Sequence, residues 1–332
     1  MSRSSSSICT VLGDGGWGTA LAIHLHRLGH AVRWWGAFPD YLHELDRRRE
    51  NRRYLPGVRV PRPIRLIPEL EAAVAGSALV VLAVPAQHLR QVVRRLKGLR
   101  LGRAIVLSVA KGIEQRGLKR MSQVIAEELG PVRLAVLSGP SIAAEVATGH
   151  PASLVAAANS RALATAIQDL CMGGALRIYT STDMAGVELG GALKNPIAIA
   201  AGVSDGLGFG SNAKAALITR GVAEMARLGV TLGARRETFW GLSGLGDLVT
   251  TCLSGRNRWL GEQLGRGRRL KAILASTPMV IEGVDTARAA VAVARRHRVE
   301  LPIIEQVEAI LFRGRAPQAA LQALLRRAGK PE

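Results

Sequence analysis

Cysteine, aromatic side chains and acidic side chains are all scarce in this 332-residue chain, and each scarcity removes a class of protein. The three cysteines, Cys9, Cys171 and Cys252, lie far apart, with no CxxC pair and no Cys/His cluster. An odd, scattered set argues against a disulfide framework and against a zinc site; each reads as a small buried apolar residue. Aromatics make up 4% of the chain, so the core must come from Ala, Val, Leu and Ile. No apolar run approaches the ~18 residues that a membrane helix needs. The run beginning at Ala78 is only strand-length, and Pro85 closes it. The serine-rich start, Met1–Ser7, has no apolar stretch behind it long enough for a signal peptide. The expectation is a cytoplasmic protein with no integral membrane segment.

Acid is scarce relative to base: 45 Lys and Arg against 25 Asp and Glu leave a net charge of +20. Such a surplus favours nucleic acid or acidic membrane surfaces. The arginines, however, are scattered in twos and threes, as at Arg47–Arg49, Arg94–Arg95 and Arg326–Arg327, on the polar faces of apparent helices. Aromatics do not interleave with them as on a base-stacking surface, and no nucleic-acid-binding signature is present. The charge is therefore read as solvated helix faces, suited to small phosphorylated molecules, with no nucleic-acid partner.

What is present is a change of texture along the chain. In the first half strand-like and helix-like segments alternate: strands at Ile8–Leu12, Ala31–Trp35, Leu79–Val84, Ala104–Val109, Arg133–Ser138 and Ser153–Ala157, with helices at Thr19–Leu28, Asp40–Arg53, Gln87–Leu96 and Met121–Leu129. Alternation of this kind implies βαβ units and an open parallel sheet covered on both faces. From about Val187, Ala, Gly and Leu recur at helical spacing and β-rich alternation stops. The predicted class is α/β: a doubly wound parallel sheet in residues 1–185, then an all-helical domain in residues 186–332. Two domains suit this length, and the crevice between them is where a ligand is expected.

Gly13-Asp14-Gly15-Gly16-Trp17-Gly18 follows the first strand and opens the first helix. In that context Gly13 permits a tight turn, Gly15 lets the backbone approach a pyrophosphate, and Gly18 lets the helix pack on the strand. The helix N-terminus then offers free amides to the phosphates. The spacing alone is weak evidence; its place between strand and helix makes it a dinucleotide signal. An acid about 20 residues on would mark NAD by binding the ribose 2′-hydroxyl. Val32-Arg33-Trp34-Trp35-Gly36 stands there instead, with no carboxylate before Asp40. That leans toward NADP or dual use, with Arg33 the candidate for a 2′-phosphate and Arg52 and Arg53 as further options.

Three other stretches carry chemistry. Lys111 follows a strand end, where ligands of open α/β sheets bind, although a Lys in a glycine-containing loop is as often simply solvated. Gly190-Gly191-Ala192-Leu193-Lys194-Asn195-Pro196 puts a Lys on an otherwise apolar helix. Burying an ammonium is costly unless it is paired or functional, and desolvation suits such a group to proton transfer. Gly244-Leu245-Gly246-Asp247, with Thr251 and then Gly255-Arg256-Asn257-Arg258, supplies an acid, a hydroxyl and an Arg at a helix start. That set fits a phosphorylated substrate, although each residue singly could be a cap or turn.

Taken together, GDGGWGTALA from Gly13, Ala110-Lys111-Gly112, Ser138-Gly139-Pro140, ELGGALKN from Glu188, ITRGVAEM from Ile218, GLGDLVTT from Gly244 and GRNR from Gly255 resemble the NAD(P)-dependent glycerol-3-phosphate dehydrogenase family. The matches run in order over nearly the whole chain. The resemblance implies a Rossmann domain, a helical domain, and interconversion of dihydroxyacetone phosphate and sn-glycerol 3-phosphate, supplying glycerol phosphate for phospholipid synthesis. It places Lys194 as the catalytic residue, and Lys111, Gly139, Ser141, Asp247, Arg256 and Asn257 at substrate. Asn195, Thr251 and Gly255, neighbours of these, join the substrate set. Gly16, Trp17, Ala143, Val280 and Glu282 fall at the NAD or NADP cofactor, with Lys111 and Arg256 shared; Gly13, Gly15, Gly18 and Arg33 complete that set. No metal is implied, and a homodimer is the family-level expectation. Gly16 and Gly255 stand where Ser is frequent in bacterial members, and Ala37 where His is frequent. The alternatives are a related dehydrogenase of keto or hydroxy carboxylates, a nucleic-acid-binding protein, and a cofactor sensor without turnover.

Overall fold

The computed structural model describes residues 6–329; the serine-rich start through Ser5 lies outside them. The chain forms two compact units. One takes the chain through Lys111 together with Arg120–Glu188, the other Gly112–Lys119 together with Leu189 onward. A single cut at 185/186 does not anticipate the exchange of segment 112–119. That segment is tied into the second unit where Gln115 Nε2 donates to Asp285 Oδ1 at 2.5 Å.

The first unit is an eight-stranded sheet: β1 (Ile8–Leu12), β2 (Ala31–Trp35), β3 (Arg65–Leu66), β4 (Leu79–Leu82), β5 (Ile105–Ser108), β6 (Arg133–Ser138), β7 (Ala152–Ala158) and β8 (Leu176–Ser181). Their order is β3-β2-β1-β4-β5-β6-β7-β8, and the first six reproduce the doubly wound arrangement. Its helices are α1 (Gly16–Arg27), α2 (Pro39–Arg48), α3 (Leu70–Val74), α4 (Ala86–Leu96), α5 (Met121–Leu129), α6 (Ala143–Thr148) and α7 (Arg161–Cys171). Side-chain alternation along the central strands feeds two cores. Cys9, Val11, Leu79, Val81, Ile105 and Leu107 enter one, while Leu12, Val80, Leu82 and Val106 enter the other.

The sheet is not wholly parallel, which corrects the expectation. β6 pairs with β7 antiparallel, and β8 then follows β7 in parallel. The cause is the six-residue α6, too short to cross a sheet face. It packs on α1, beyond the carboxyl end of β6, and stops at Gly149 in a left-handed conformation. The chain re-enters the sheet from the end it left.

The second unit is helical. Its elements are the greater part of α8 (Met184–Gly206), α9 (Ser211–Thr231), a 3-10 turn at Arg236–Trp240, a π turn at Leu242–Gly246, α10 (Asp247–Leu253), α11 (Arg256–Gly265), α12 (Leu270–Ala275), α13 (Glu282–His297), α14 (Pro302–Phe312) and α15 (Pro317–Leu325). Its packing centres on α8 against α11. A Cβ on Gly202 would lie 1.9 Å from the Arg258 carbonyl oxygen, and one on Gly261 2.0 Å from that of Ile199. Gly206 and Gly265, one turn further along each helix, also leave no room for a Cβ, at 2.4 Å from the Glu262 carbonyl oxygen and 2.6 Å from that of Val203. The two backbones touch, and Ile199, Val203, Leu260 and Leu264 close the core around the contact.

The arginines lie on helix faces as expected, many beside acids. Arg48 meets Glu44 at 2.7 Å, Arg90 meets Glu127 at 2.8 Å, and Arg266 meets Glu262 at 2.6 Å. Among the described residues no helix is long and apolar enough to cross a membrane.

Candidate functional site

In the first unit the candidate residues gather at the carboxyl ends of the strands. β1 runs into Gly13, whose φ of +125° and lack of Cβ are both required, since a Cβ would come 2.3 Å from the Ala83 carbonyl oxygen. Gly18 lies against the Gly13 carbonyl, where a Cβ would approach to 2.2 Å, so α1 packs tightly on the strand end. Gly15, the N-cap of α1, faces open space and makes no side-chain cap bond. This is a cradle suited to a pyrophosphate: bare backbone at a helix start, with a positive dipole end. Trp17 Nε1 is buried there without a hydrogen-bond partner. Gly16 lies below the Tyr54 carbonyl, and a Cβ would be 2.7 Å from its oxygen, which gives the absent Ser hydroxyl a steric cause. Ala143, at the start of α6, borders the same position.

Sequence reasoning missed the clamp on this turn. Asn51, fully buried, donates through Nδ2 to the Asp14 carbonyl and to Thr19 Oγ1, both at 2.7 Å. Its Oδ1 accepts from the Tyr41 hydroxyl at 2.5 Å and the Tyr54 amide at 3.0 Å. Trp34 Nε1 donates to the Gly13 carbonyl at 2.9 Å. An Asn inside an arginine-rich stretch gives little signal of such a role, because the pairing joins residues nearly forty positions apart. Burial pushes the Asp14 carboxyl up from its ordinary value, while its own backbone amide and the Arg53 charge hold it down.

Arg33 already has partners within the fold. It sits mid-strand in β2, and its guanidinium donates to the carbonyls of Ala72 at 3.1 Å and Ala75 at 2.6 Å. It satisfies the last carbonyls of α3, a helix-capping task.

Further along the same sheet edge, Lys111 follows β5 and Gly139 follows β6. Lys111 Nζ donates to the Gly139 carbonyl at 2.9 Å and to Ser141 Oγ at 3.1 Å. Ser141 Oγ also bonds the Gly139 carbonyl at 2.9 Å. Three sequence candidates are thus joined in one polar group.

In the second unit the centre is Lys194 on α8, about 6% exposed. Its Nζ donates to Asp247 Oδ1 at 2.7 Å and to Thr251 Oγ1 at 2.6 Å. Asp247 is the first residue of α10, presented by the π turn, and Thr251 lies one turn on along the same helix. Thr251 Oγ1 donates back to the Asp247 carbonyl at 2.7 Å, leaving a lone pair for the ammonium. The glycines before Lys194 make room, for a Cβ on Gly190 would lie 2.7 Å from the Ser243 carbonyl oxygen. A buried ammonium next to a buried carboxylate and a hydroxyl is held in place by charge and by direction, an arrangement that can serve proton transfer.

Beside it, Asn195 Oδ1 accepts from Asn257 Nδ2 at 2.8 Å, and Asn257 Oδ1 accepts from the Gly283 amide at 2.9 Å. Asn257 therefore bridges α8, α11 and α13. Gly255, with φ +110°, turns the chain into α11, and Arg256 opens that helix. Arg256 Nη1 donates to the Val280 carbonyl at 2.8 Å, and Glu282 begins α13 two residues later. Gly255, Arg256, Asn257, Val280 and Glu282 therefore form one neighbourhood. An apolar cavity of about 590 Å³ between α8, α9, α14 and α15 includes none of these groups. Burial pushes the Cys9 and Cys252 thiols up to about 12, so neither is a nucleophile at neutral pH.

A dinucleotide-type glycine turn on a doubly wound sheet, in a chain whose helical unit holds a buried, paired lysine, defines the class of two-unit nicotinamide-dependent dehydrogenases. Comparison with known proteins carries this to a family. Residues 8–164 match the model of the NAD-dependent glycerol-3-phosphate dehydrogenase N-terminus, and residues 183–322 that of its C-terminus. The chain is 47% identical over 327 residues to glycerol-3-phosphate dehydrogenase [NAD(P)+] of Chlorobium limicola, covering 97% of this chain and 98% of that one. It is likewise 47% identical to the Geobacillus kaustophilus enzyme of the same name, covering 97% and 95%. The crystal structure of glycerol-3-phosphate dehydrogenase from Coxiella burnetii superposes with a TM-score of 0.93 at 40% identity, covering 97% of this chain and 99% of that one. This chain belongs to the NAD-dependent glycerol-3-phosphate dehydrogenase family.

Proposed function

We propose that this chain interconverts dihydroxyacetone phosphate and sn-glycerol 3-phosphate with NAD(H) or NADP(H), and that Lys194 is its proton donor and acceptor. The observation that carries the mechanism is the burial of Lys194 between Asp247 and Thr251. The substrate follows from family membership, since the relatives carry that activity in their names.

The first unit supplies the cofactor cradle: Gly13, Gly15 and Gly18 shape the turn, and the uncapped start of α1 faces the phosphates. When bound, the nicotinamide supplies or accepts the hydride at the carbon that carries the reacting oxygen. In the direction of reduction Lys194 Nζ gives a proton to the ketone oxygen, which becomes the C2 hydroxyl. Before that transfer the ammonium also stabilises the growing negative charge on that oxygen. Asp247 fixes the ammonium by charge, and Thr251 fixes its direction. In oxidation neutral Lys194 takes the hydroxyl proton back. Arg256 and the amides at the start of α11 suit the substrate phosphate, an anion at a helix N-terminus. Asn195 and Asn257, occupied with each other, hold α8 and α11 in register for it. Lys111, with Gly139 and Ser141, is a second cation for the ligands at the sheet edge.

The same reading assigns the product to phospholipid synthesis and the enzyme to the cytoplasm, where three buried, unbridged cysteines suit a reducing compartment. A homodimer belongs to it as well. The test is oxidation of NADH and of NADPH in the presence of dihydroxyacetone phosphate, followed by absorbance. Rapid oxidation with that ketone and none with keto acids supports the assignment. Oxidation only with a keto acid would replace it with the carboxylate reading.

A further inference from the structure

We propose that Asp14 selects between the two nicotinamide cofactors, accepting a free ribose 2′-hydroxyl and opposing a 2′-phosphate, so that this chain prefers NADH. The inference rests on the cofactor reading above and deepens it. In strand–turn–helix dinucleotide units the ribose is read by an acid at the carboxyl end of the second strand. Here that end is Trp35-Gly36-Ala37-Phe38, without charge, and Asp40 is exposed on α2. In the sequence this absence leans toward NADP; the fold places an acid there by another route.

Asp14 lies between the first two glycines of the turn, and its carboxyl group reaches across to the end of β2. A Cβ on Gly36 would sit 2.6 Å from Asp14 Oδ2 and 3.0 Å from its Cγ. Gly36 is thus the space that the Asp14 carboxylate fills. The backbone that aims it is fixed on both sides. The Gly13 amide donates to the Trp35 carbonyl at 2.9 Å, Trp34 holds the Gly13 carbonyl, and Asn51 holds that of Asp14. Oδ2 is buried with no hydrogen-bond partner. A carboxylate oxygen with an unmet acceptor site is the complement of a hydroxyl. A 2′-phosphate brought to the same place meets like charge at short range. Arg53, stacked on Tyr41 and Tyr54 with its carbon 5.9 and 5.3 Å from their ring centres, is the cation that would receive a phosphate once the Asp14 charge is gone.

The experiment titrates NADH and NADPH separately, without substrate, into the whole protein and into Asp14→Asn and Asp14→Ala, reading nicotinamide fluorescence or heat. The unaltered protein is expected to bind NADH about tenfold or more tighter than NADPH, the size of one charge-assisted hydrogen bond against a like-charge contact. D14N, nearly isosteric, is expected to raise NADPH affinity and bring the two within about threefold; D14A is expected to weaken NADH as well. Equal or tighter NADPH binding by the unaltered protein overturns the proposal, as does an unchanged ratio in D14N that melts normally. Should D14A fail to fold, D14N decides. Failure of both cofactors to bind the unaltered protein would remove the cofactor reading itself, and this proposal with it.

Discussion

The two units build their functional groups in opposite ways. In the first, the glycine turn is one continuous stretch of chain, and what it presents is main chain: bare amides at Gly15 and the start of α1, shaped by φ +125° at Gly13. In the second, the working groups are side chains from α8, α10 and α11, drawn from positions as far apart as Lys194 and Asn257. The first arrangement is local and needs space. The second is non-local and needs charge balance, since Lys194 and Asp247 are both buried and neither is tolerable alone.

The difference can be broken from either side. The largest effect is expected from Lys194→Ala, which should lower turnover by about 10³-fold or more while NADH titration remains normal, because the cradle belongs to the other unit. Near-normal turnover would refute the assignment. Next is Gly261→Ala, which drives a Cβ to 2.0 Å from the Ile199 carbonyl oxygen. It should cost about 3 kcal/mol, at the upper end of overpacking effects, and appear as an earlier melting transition.

Glu224 tests the second unit by pH. Its carboxylate accepts the amides of Ile303 at 2.7 Å and Ile304 at 3.3 Å at the start of α14, yet burial raises its pKa to about 7. The folded value lies above the unfolded one, so the stabilising contribution is full below about pH 4.5 and is lost as pH rises through 7. Glu224→Gln should flatten that slope, gaining on the order of 2 kcal/mol relative to the unaltered protein between pH 5 and 8. Parallel melting curves for the two across that range would exclude it. The smallest effect is expected from Asn51→Ala, which frees the Asp14 carbonyl. NADH affinity should fall by roughly tenfold or less, at about 1 kcal/mol for a lost hydrogen bond, with turnover at saturating cofactor unaffected. An affinity equal to that of the unaltered protein would show that the turn holds without the clamp.

What the sequence discloses follows the same divide. β1, the turn and α1 are legible because strand, glycines and helix adjoin. β6 and α5 match the expected spans residue for residue. β3, two residues long, offers no pattern, and β8, at the sheet edge with its exposed Arg177 and Tyr179, lacks the apolar run of a central strand. The reversal at β7 depends on where α6 docks, which no local pattern encodes. In the second unit Lys194 stands out as a charge on an apolar helix, and Asp247 is legible as its counter-charge. The π turn and α10 are not: GLGDLVTT has the composition of a loop, and its helical form depends on packing against Gly190 and Phe239. The capping contacts of Arg33 are illegible for a related reason: the carbonyls it meets belong to the end of α3, some forty residues on.

The backbone contact of α8 with α11 has a consequence for how this protein can vary. Where side chains mediate helix packing, each apolar replacement shifts the helices slightly, and the groups they carry drift with them. Here the spacing between the Lys194 helix and the Arg256 helix is set by main-chain atoms at Gly202, Gly206, Gly261 and Gly265. The surrounding Ile, Val and Leu residues are then free to exchange among themselves over generations with little movement of the reactive groups. The mutational burden of keeping the enzyme active falls instead on four positions that bear no side chain.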